Sequence, residues 1–251
     1  MIKAERQERI LSELARRGAV SVEELASALG VSEATVRRDL GALAEAGLLR
    51  RTYGGAALAD QGDELPYQYK VTAFLPEKRR IGAAAAAMIQ RGQVVGCTGG
   101  TTVTQVIRAL KGKAVTIVTN AVNVAAELAS APEAEVVVTG GALRSRSYEL
   151  VGPIAQRTIQ DFYLDVALIG VDGLSLEHGL TTYSHAEAYV NRSFIERARE
   201  TWVVADHSKL GKVTPAVIAS IERMHCLITD ADAPAEVVAE LKARGKRVVL
   251  A

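Results

Sequence analysis

The strongest constraint on the fold is a set of seven short apolar runs in the last two-thirds of the chain. These runs are QVVGC (93–97), VTIVT (115–119), EVVVT (135–139), DVALIG (165–170), TWVVAD (201–206), HCLITD (225–230) and KRVVL (246–250). Alanine-rich amphipathic segments of helical length lie between most of them. Nearly continuous apolar strands that alternate with helices are typical of a parallel sheet covered on both faces. The sequence therefore predicts a mainly parallel α/β domain over residues 77–251.

The first 57 residues show a different pattern, with apolar residues at helical spacing in three successive segments. Ser21 precedes Glu24 by three residues, the spacing of a capping box, and Gly30 is placed to end the helix that follows. Ser32 is a suitable N-cap for a third helix. The stretch LLRRTYGGA (48–56) then reads as a short basic strand and a Gly-Gly turn. Residues 1–57 are predicted to form a winged helix-turn-helix domain.

Residues 58–76 separate the two patterns. They contain Pro66 and Pro76 and show no sustained period, so we interpret them as a linker.

Composition excludes several classes of protein. The 251 residues include 30 basic and 29 acidic side chains, for a net charge of +1, so any nucleic-acid binding must come from locally placed charge. Cys97 and Cys226 lie in apolar runs and form no CxxC pair, which argues against a disulfide framework or a zinc site. No apolar run reaches the roughly 18 residues that cross a bilayer, and the charged start is unlike a signal peptide. We expect a cytoplasmic protein without metal or cofactor.

The third helix carries the residue types of a DNA-reading helix. If its apolar seam faces the core, Arg38 points directly away, beside Ala34, with Thr35 and Arg37 on either side. Arginine binds guanine or phosphate, and a small alanine lets a helix enter the major groove closely. Residues 1–57 contain nine basic and eight acidic side chains, however, so bulk charge leaves a protein-interaction module open as an alternative.

The predicted wing carries two further arginines, Arg50 and Arg51, directly before the Gly-Gly turn. At that position they are placed to contact the DNA backbone or the minor groove.

Polar and glycine-rich loops follow the predicted strands of the α/β domain, at the sheet edge where such folds bind ligands. In TGGTT (98–102), two glycines let the backbone approach an anion, and amides at the helix start can donate to phosphate, as can the two hydroxyls of Thr101 and Thr102. Lys209 is a natural partner for phosphate, while Asp172 and Glu187 can accept hydrogen bonds from sugar hydroxyls. The sequence thus predicts an anion site there.

Residues 6–56 resemble the N-terminal signature of the DeoR family of bacterial regulators, most specifically at SEATVRRDL (32–40) and GGA (54–56). The resemblance places Ser32, Thr35, Arg37 and Arg38 on the recognition helix. It implies that Asp39 braces the domain rather than reading bases.

The C-terminal half is similar to the sensor domain of the same family. The matching stretches, in order, are TGGTT, VTNAVNVAAELAS (118–130), GGALRSRSYELVGP (140–153), IGVDG (169–173) and DHSKLG (206–211). That sensor is related in fold to ribose-5-phosphate isomerase and the coenzyme A transferases, and it responds to phosphorylated sugars or related metabolites. The effector site implied here comprises Thr98, Gly99, Gly100, Thr101, Thr102, Asp172, Gly173, Glu187 and Lys209.

The resemblance implies a transcriptional regulator, expected to be a repressor of a sugar or related metabolic operon. Its partners would be double-stranded operator DNA, a phosphorylated sugar-like effector and further copies of the chain in a dimer or tetramer. One departure stands out: family members commonly place Asp-Ser before Gly-Thr-Thr, where this chain has Thr98 and Gly99. Any contact that the aspartate usually makes is therefore in doubt.

Four other interpretations compete. A sugar-phosphate isomerase or acyltransferase on the same fold would use the acid–base side chains of the predicted site, but an N-terminal DNA module has no catalytic purpose. His185 and Glu187 form an H-x-E without the PCxxC of zinc deaminases, and residues two apart do not share a helix face. Cys97 lacks a His–Asp partner for a nucleophilic role, and a pure interaction adaptor remains a further alternative.

Overall fold

The computed structural model describes residues 1–57 and 64–251. The chain divides into two compact units, Met1–Phe74 and Leu75–Ala251. No helix in the described ranges is long and apolar enough to span a membrane.

The first unit contains the three predicted helices and a small antiparallel sheet. Its elements are α1 (Lys3–Arg17), β1 (Ala19–Ser21), α2 (Val22–Leu29), α3 (Glu33–Glu45), β2 (Arg50–Thr52), β3 (Gly55–Ala57) and α4 (Tyr67–Lys70). The strand order is β1-β3-β2, so β2 and β3 form the wing and β1 pairs with it.

Local chemistry sets the helix ends as predicted. The Ser21 hydroxyl accepts a hydrogen bond from the Glu24 amide at 3.1 Å, and the Glu24 carboxylate accepts one from the Ser21 amide at 3.0 Å, completing a capping box. Gly30 ends α2 in the left-handed conformation at φ 64°, which costs glycine little. Ser32 then caps α3 by accepting from the Thr35 amide at 3.3 Å.

Part of the segment predicted as a linker is ordered. Leu65 is buried in the same apolar cluster as Ile10, Leu11 and Leu14 of α1, and α4 lies against α1. Residues 64–74 therefore belong to the first unit, and helix α5 begins at Leu75. The remainder of that segment, residues 58–63, lies outside the described residues.

All seven predicted runs form strands of one parallel sheet, which confirms the predicted fold class. Its strands are β4 (Val94–Cys97), β5 (Thr116–Thr119), β6 (Glu135–Val138), β9 (Leu164–Ile169), β12 (Ala198–Val204), β14 (Cys226–Thr229) and β15 (Arg247–Leu250). Their order is β15-β14-β12-β9-β4-β5-β6.

Helices cover both faces of this sheet. They are α5 (Leu75–Met88), α6 (Thr101–Leu110), α7 (Val122–Leu128), α8 (Pro153–Gln160), α9 (His185–Arg197) and α10 (Ala235–Ala243). Alternate residues of each strand enter different cores: Val166 and Leu168 pack with α5–α7, whereas Ala167 and Ile169 pack with α8–α10. Burial on both faces explains why the strands are continuously apolar.

Two small antiparallel pieces lie outside the main sheet. One is a hairpin of β7 (Ala142–Arg144) and β8 (Glu149–Val151), and the other joins β10 (Gly173–Ser175), β11 (Gly179–Thr182) and β13 (Ala216–Ala219). These short strands lack the continuous apolar runs that mark the strands of the main sheet, so the sequence pattern did not predict them.

Candidate functional sites

The N-terminal face of α3 is exposed, as the helical projection predicts. Ala34, Arg37 and Arg38 are all exposed, and Arg37 Nη2 lies 2.8 Å from Glu33 Oε2, one turn earlier. Within the ranges that the structure describes, Arg38 makes no ion pair. Its guanidinium is therefore available for an external partner.

Ser32 and Thr35 are both engaged at the start of the same helix. Besides accepting from the Thr35 amide, the Ser32 oxygen lies 3.0 Å from Thr35 Oγ1. If these hydroxyls contact DNA, they must do so while also making the hydrogen bonds of the helix cap.

Asp39 has the bracing role that the resemblance implies. Its carboxylate is buried and forms a two-pronged ion pair with Arg6 of α1, with Arg6 Nη2 3.2 Å from Asp39 Oδ1. The pair joins α1 to the inward side of α3, away from the exposed arginines.

The wing presents its two arginines on opposite sides. Arg51 pairs in register with Ala56, which lies beside Val20, and both of these apolar residues are buried. Because cross-strand partners share a face, Arg51 lies at the edge of the core-facing side and Arg50 on the other side. Both remain exposed.

Tyr53, which the sequence analysis did not single out, occupies the tip of the wing. It lies in the two-residue turn between β2 and β3 and is fully exposed. Gly55, the first residue of β3 after this turn, must be glycine, since a Cβ there would lie 2.2 Å from the Val20 carbonyl oxygen.

Glu24 joins the end of α1 to the end of β1, the strand that pairs with the wing. Hydrogen bonds from Arg17, and then from the amide and hydroxyl of Ser21, lower the pKa of Glu24 to about 2. This carboxylate is therefore charged at any physiological pH.

In the second unit, the loop after β4 adopts the predicted glycine-rich turn into α6. Gly100 precedes α6 at φ 112°, a conformation that side chains disfavour, and no side chain caps the amides that follow. Thr101 is half-buried and Thr102 buried. At an uncapped helix start, the first amides and the positive end of the helix dipole favour a negatively charged group.

Thr98 has a structural use in this loop. Its hydroxyl oxygen accepts from the Gly170 amide at 3.0 Å and its hydroxyl lies 3.3 Å from the Gly99 carbonyl oxygen. It thereby joins the end of β4 to the end of β9.

Asp172 and Glu187 meet through a shared hydroxyl. Thr182 Oγ1 lies 3.0 Å from an Asp172 oxygen and 3.1 Å from a Glu187 oxygen. The other Glu187 oxygen accepts from Arg144 of β7 at 2.8 Å, and Glu187 is buried. Arg144 was missed because its partner is 43 residues away in sequence.

The hairpin that carries Arg144 closes a ring of contacts back to the first loop. Arg144 pairs in register with Glu149 of β8. The Glu149 carboxylate lies against Gly99, where a Cβ would meet Glu149 Oε1 at 2.3 Å. Gly99 in turn contacts Gly170, two residues before Asp172. The structure thus brings the predicted loop, Asp172 and Glu187 together around one edge of the sheet.

Lys209 lies in a loop that joins this ring through β10. Leu210 bridges to Leu174, and the Gly211 amide donates to the Leu174 carbonyl at 2.8 Å, directly beside the predicted Gly173. Lys209 is half-buried and, in the described part of the chain, forms no ion pair.

The start of the lysine loop is pinned by buried charges. Asp206 is buried, accepts from the Ser208 amide at 3.1 Å and lies 3.9 Å from the buried Lys78 of α5. His207 donates its amide to Asp230 at 2.8 Å and places Nδ1 2.8 Å from the other Asp230 oxygen.

His207, Asp230 and Asp232 are the one grouping in the described residues whose side chains could hold a metal ion. Both Asp230 oxygens, however, are occupied by hydrogen bonds from His207 and from the Asp232 amide at 3.1 Å. This arrangement fixes the loop and leaves little ligand capacity for a metal.

The described residues do not support the alternative roles considered for Cys97, for His185 with Glu187, or for His225. Burial, opposed only by the Thr119 hydrogen bond, raises the pKa of the Cys97 thiol to about 12, so it stays protonated at neutral pH. His185 is exposed while Glu187 is buried, so the two lie on different sides of α9. His225 Nδ1 accepts from the Thr201 amide at 3.0 Å, a structural contact between β12 and the residue before β14.

A winged helix-turn-helix with exposed arginines on α3, followed in the chain by an α/β unit with polar side chains gathered at its strand ends, is the organisation of a ligand-responsive DNA-binding regulator. Comparison with known proteins agrees. Residues 6–62 match the DeoR-like helix-turn-helix domain, and residues 74–231 match the DeoR C-terminal sensor domain. The chain belongs to the DeoR family of transcriptional regulators.

Curated relatives match almost end to end. The HTH-type transcriptional regulator GlpR of Haloferax volcanii is 38% identical, covering 99% of this chain and 98% of the relative. The putative aga operon transcriptional repressor of Escherichia coli O157:H7 is 34% identical, covering 98% of this chain and 93% of the relative. The glycerol-3-phosphate regulon repressor of E. coli K12 is 34% identical, with 95% of each covered. The chain is thus a regulator and not an enzyme.

Solved structures are more distant. The full-length sorbitol operon regulator SorC of Klebsiella pneumoniae is 14% identical, covers 94% of this chain and 98% of that one, and has a TM-score of 0.44. Ribose 5-phosphate isomerase A of Methanocaldococcus jannaschii is 17% identical, covers 55% of each chain and has a TM-score of 0.42. Likenesses of this size do not bear on function.

Proposed function

We propose that the protein binds operator DNA through the exposed face of α3 and the wing, and that a phosphorylated sugar-like effector controls this binding. The observation that carries the DNA assignment is Arg38, an exposed guanidinium near the start of α3 with no ion pair in residues 1–57 and 64–251. Arg37, Arg50 and Arg51 supply further cationic contacts. Ser32 and Thr35 support the helix start and add their hydroxyls where the cap allows.

For the effector, the supporting observation is the ring of contacts beside the uncapped start of α6. Phosphate would be held by the amides and hydroxyls of the loop 98–102 and by Lys209. Asp172 and Glu187, beside Gly173, would accept hydrogen bonds from sugar hydroxyls. Two relatives are named for the glycerol-3-phosphate regulon and the aga operon, which agrees with an effector from carbohydrate metabolism.

The effector must favour one arrangement of the protein over another, because equal affinity for both arrangements shifts nothing. A tenfold loss of operator affinity requires about 1.4 kcal/mol of differential binding, within the usual range of allosteric coupling. We expect release of DNA, and hence a repressor, which acts in the cytoplasm.

A dimer or tetramer is also expected, because a single helix-turn-helix reads only a few base pairs. The sensor unit would supply the association. Light scattering of the full chain checks this, and a clean monomer at micromolar concentration would count against it.

The decisive experiment couples the two sites in one assay. Fluorescence anisotropy measures binding to a fragment of the protein's own upstream region, with and without a panel of sugar phosphates and the matching free sugars. Lys209→Ala should leave effector-free DNA binding nearly unchanged and make it insensitive to the sugar phosphate that acts on the wild type. Lys242→Ala, an exposed lysine on α10, is the charge-matched control. If the free sugars act as well as the phosphates, the phosphate assignment is wrong.

A further inference from the structure

We propose that Glu149 and Asn120 form a hydroxyl-binding subsite in the effector crevice, and that this subsite makes the sensor select hydroxylated phosphates over phosphate alone. The proposal rests on the function proposed above. It adds to that function two residues outside the predicted effector site, one on the β7–β8 hairpin and one at the end of β5.

Glu149 is built into the crevice. The residue is 6% exposed, and its Oε1 and Cγ would lie 2.3 and 2.6 Å from a Cβ on residue 99. Only glycine at that position leaves room for the carboxylate. The carboxylate of Glu149 therefore packs directly against the backbone of the loop 98–102.

Asn120 holds this carboxylate and presents an unused acceptor. It is fully buried, and its Nδ2 lies 3.2 Å from both Glu149 Oε2 and the Leu150 carbonyl oxygen. Because this atom lies near two acceptor oxygens, it must be the amide nitrogen, and the other end of the amide is the oxygen. Asn120 Oδ1, in turn, is buried and has no hydrogen-bond partner in the described residues.

A buried acceptor without a donor is costly and usually has a ligand, water or functional role. Asn120 Oδ1 and the Glu149 carboxylate both accept hydrogen bonds, and the negative carboxylate repels a phosphate group. A sugar or polyol hydroxyl donates a hydrogen bond without bringing a negative charge. Thr98 does not compete for the role, because its hydroxyl already joins β4 to β9.

The geometry therefore separates the two ends of the effector. The phosphate lies at the start of α6, where the helix amides and the hydroxyls of Thr101 and Thr102 are found. A hydroxyl donates to Asn120 Oδ1 and the Glu149 carboxylate at the adjoining end of the loop.

Calorimetry on the full chain tests this with four probes: inorganic phosphate, sn-glycerol 3-phosphate, ribose 5-phosphate and glucosamine 6-phosphate. The wild type should bind at least one organic phosphate more than tenfold tighter than inorganic phosphate. Glu149→Gln should reduce that preference about tenfold while changing the affinity for inorganic phosphate less than twofold. Glu236→Gln, an exposed glutamate on α10, is the matched control and should change neither.

The ratio of affinities distinguishes recognition from damage, because a distorted loop would weaken all probes together. Asn120→Asp provides a second variant. It replaces the amide nitrogen that donates to Glu149 with an oxygen, and it should also reduce the preference for organic phosphates over inorganic phosphate. Equal weakening of all probes, or tighter binding of all probes by Glu149→Gln, overturns the subsite. So does a wild type that binds inorganic phosphate through Lys209 but shows no preference for hydroxylated phosphates, and in that case the proposed phosphate site stands. If the wild type binds none of the four probes, the proposed function and the subsite both fall.

Discussion

Replacing Arg38 with alanine should weaken binding to the operator by about 1–3 kcal/mol per recognition helix, or about 5- to 150-fold in Kd, if its guanidinium binds a base. The whole effect should appear in the complex, because Arg38 forms no ion pair in the described parts of the free protein. Arg37 differs: it is paired with exposed Glu33 at 2.8 Å, and such pairs contribute about 0.3–0.5 kcal/mol. Arg37→Ala should therefore cost less than Arg38→Ala, since DNA contact through Arg37 must give up that pair.

Fluorescence anisotropy at one fixed salt concentration measures these changes on the operator and on variants with one base pair replaced. Arg9→Ala is the matched control, because it removes the same charge from an exposed position. Arg9 pairs with Glu5 one turn away at 3.2 Å. Arg38→Ala should lose discrimination at one base pair, whereas Arg9→Ala should not. The assignment fails if the two variants bind equally well, or if Arg38→Ala loses the same affinity on every sequence.

Three further predictions concern the first unit. Asp39→Ala leaves the half-buried Arg6 without its countercharge and removes a buried contact between α1 and α3. It should lower the unfolding midpoint of this domain by about 5 °C or more in calorimetry, with DNA affinity of the folded protein retained; a shift below 2 °C would refute the brace. Tyr53→Ala should weaken DNA binding a few-fold on all sequences, and unchanged affinity would show that the wing tip stays off the DNA. Because the folded-state pKa of Glu24 is lowered from 4.5 to about 2, its stabilising effect is present above pH 4.5 and is lost as pH falls toward 2; Glu24→Gln should remove this loss from urea midpoints measured between pH 2 and 7, and identical pH profiles would contradict it.

Periodicity and capping chemistry predicted the elements well because both act over a few residues. The alternation of apolar runs and helices predicted all seven strands of the parallel sheet, and Ser21, Gly30 and Ser32 mark helix ends for reasons contained in one turn of chain. The three-residue strands β7, β8 and β10 escaped prediction, since so few residues have no measurable period.

The sequence by itself determined the two-part organisation, the exposed arginines of α3 and the loop that leads into α6, because each depends on residues close together in the chain. Only the tertiary structure decided which side chains share the crevice. Arg144 meets Glu187, and Glu149 lies against Gly99, through contacts that span 43 and 50 residues of sequence. Such contacts depend on how the β7–β8 hairpin folds back over the strand ends, and the free energy that selects this arrangement comes from packing of the whole sheet rather than from any local preference.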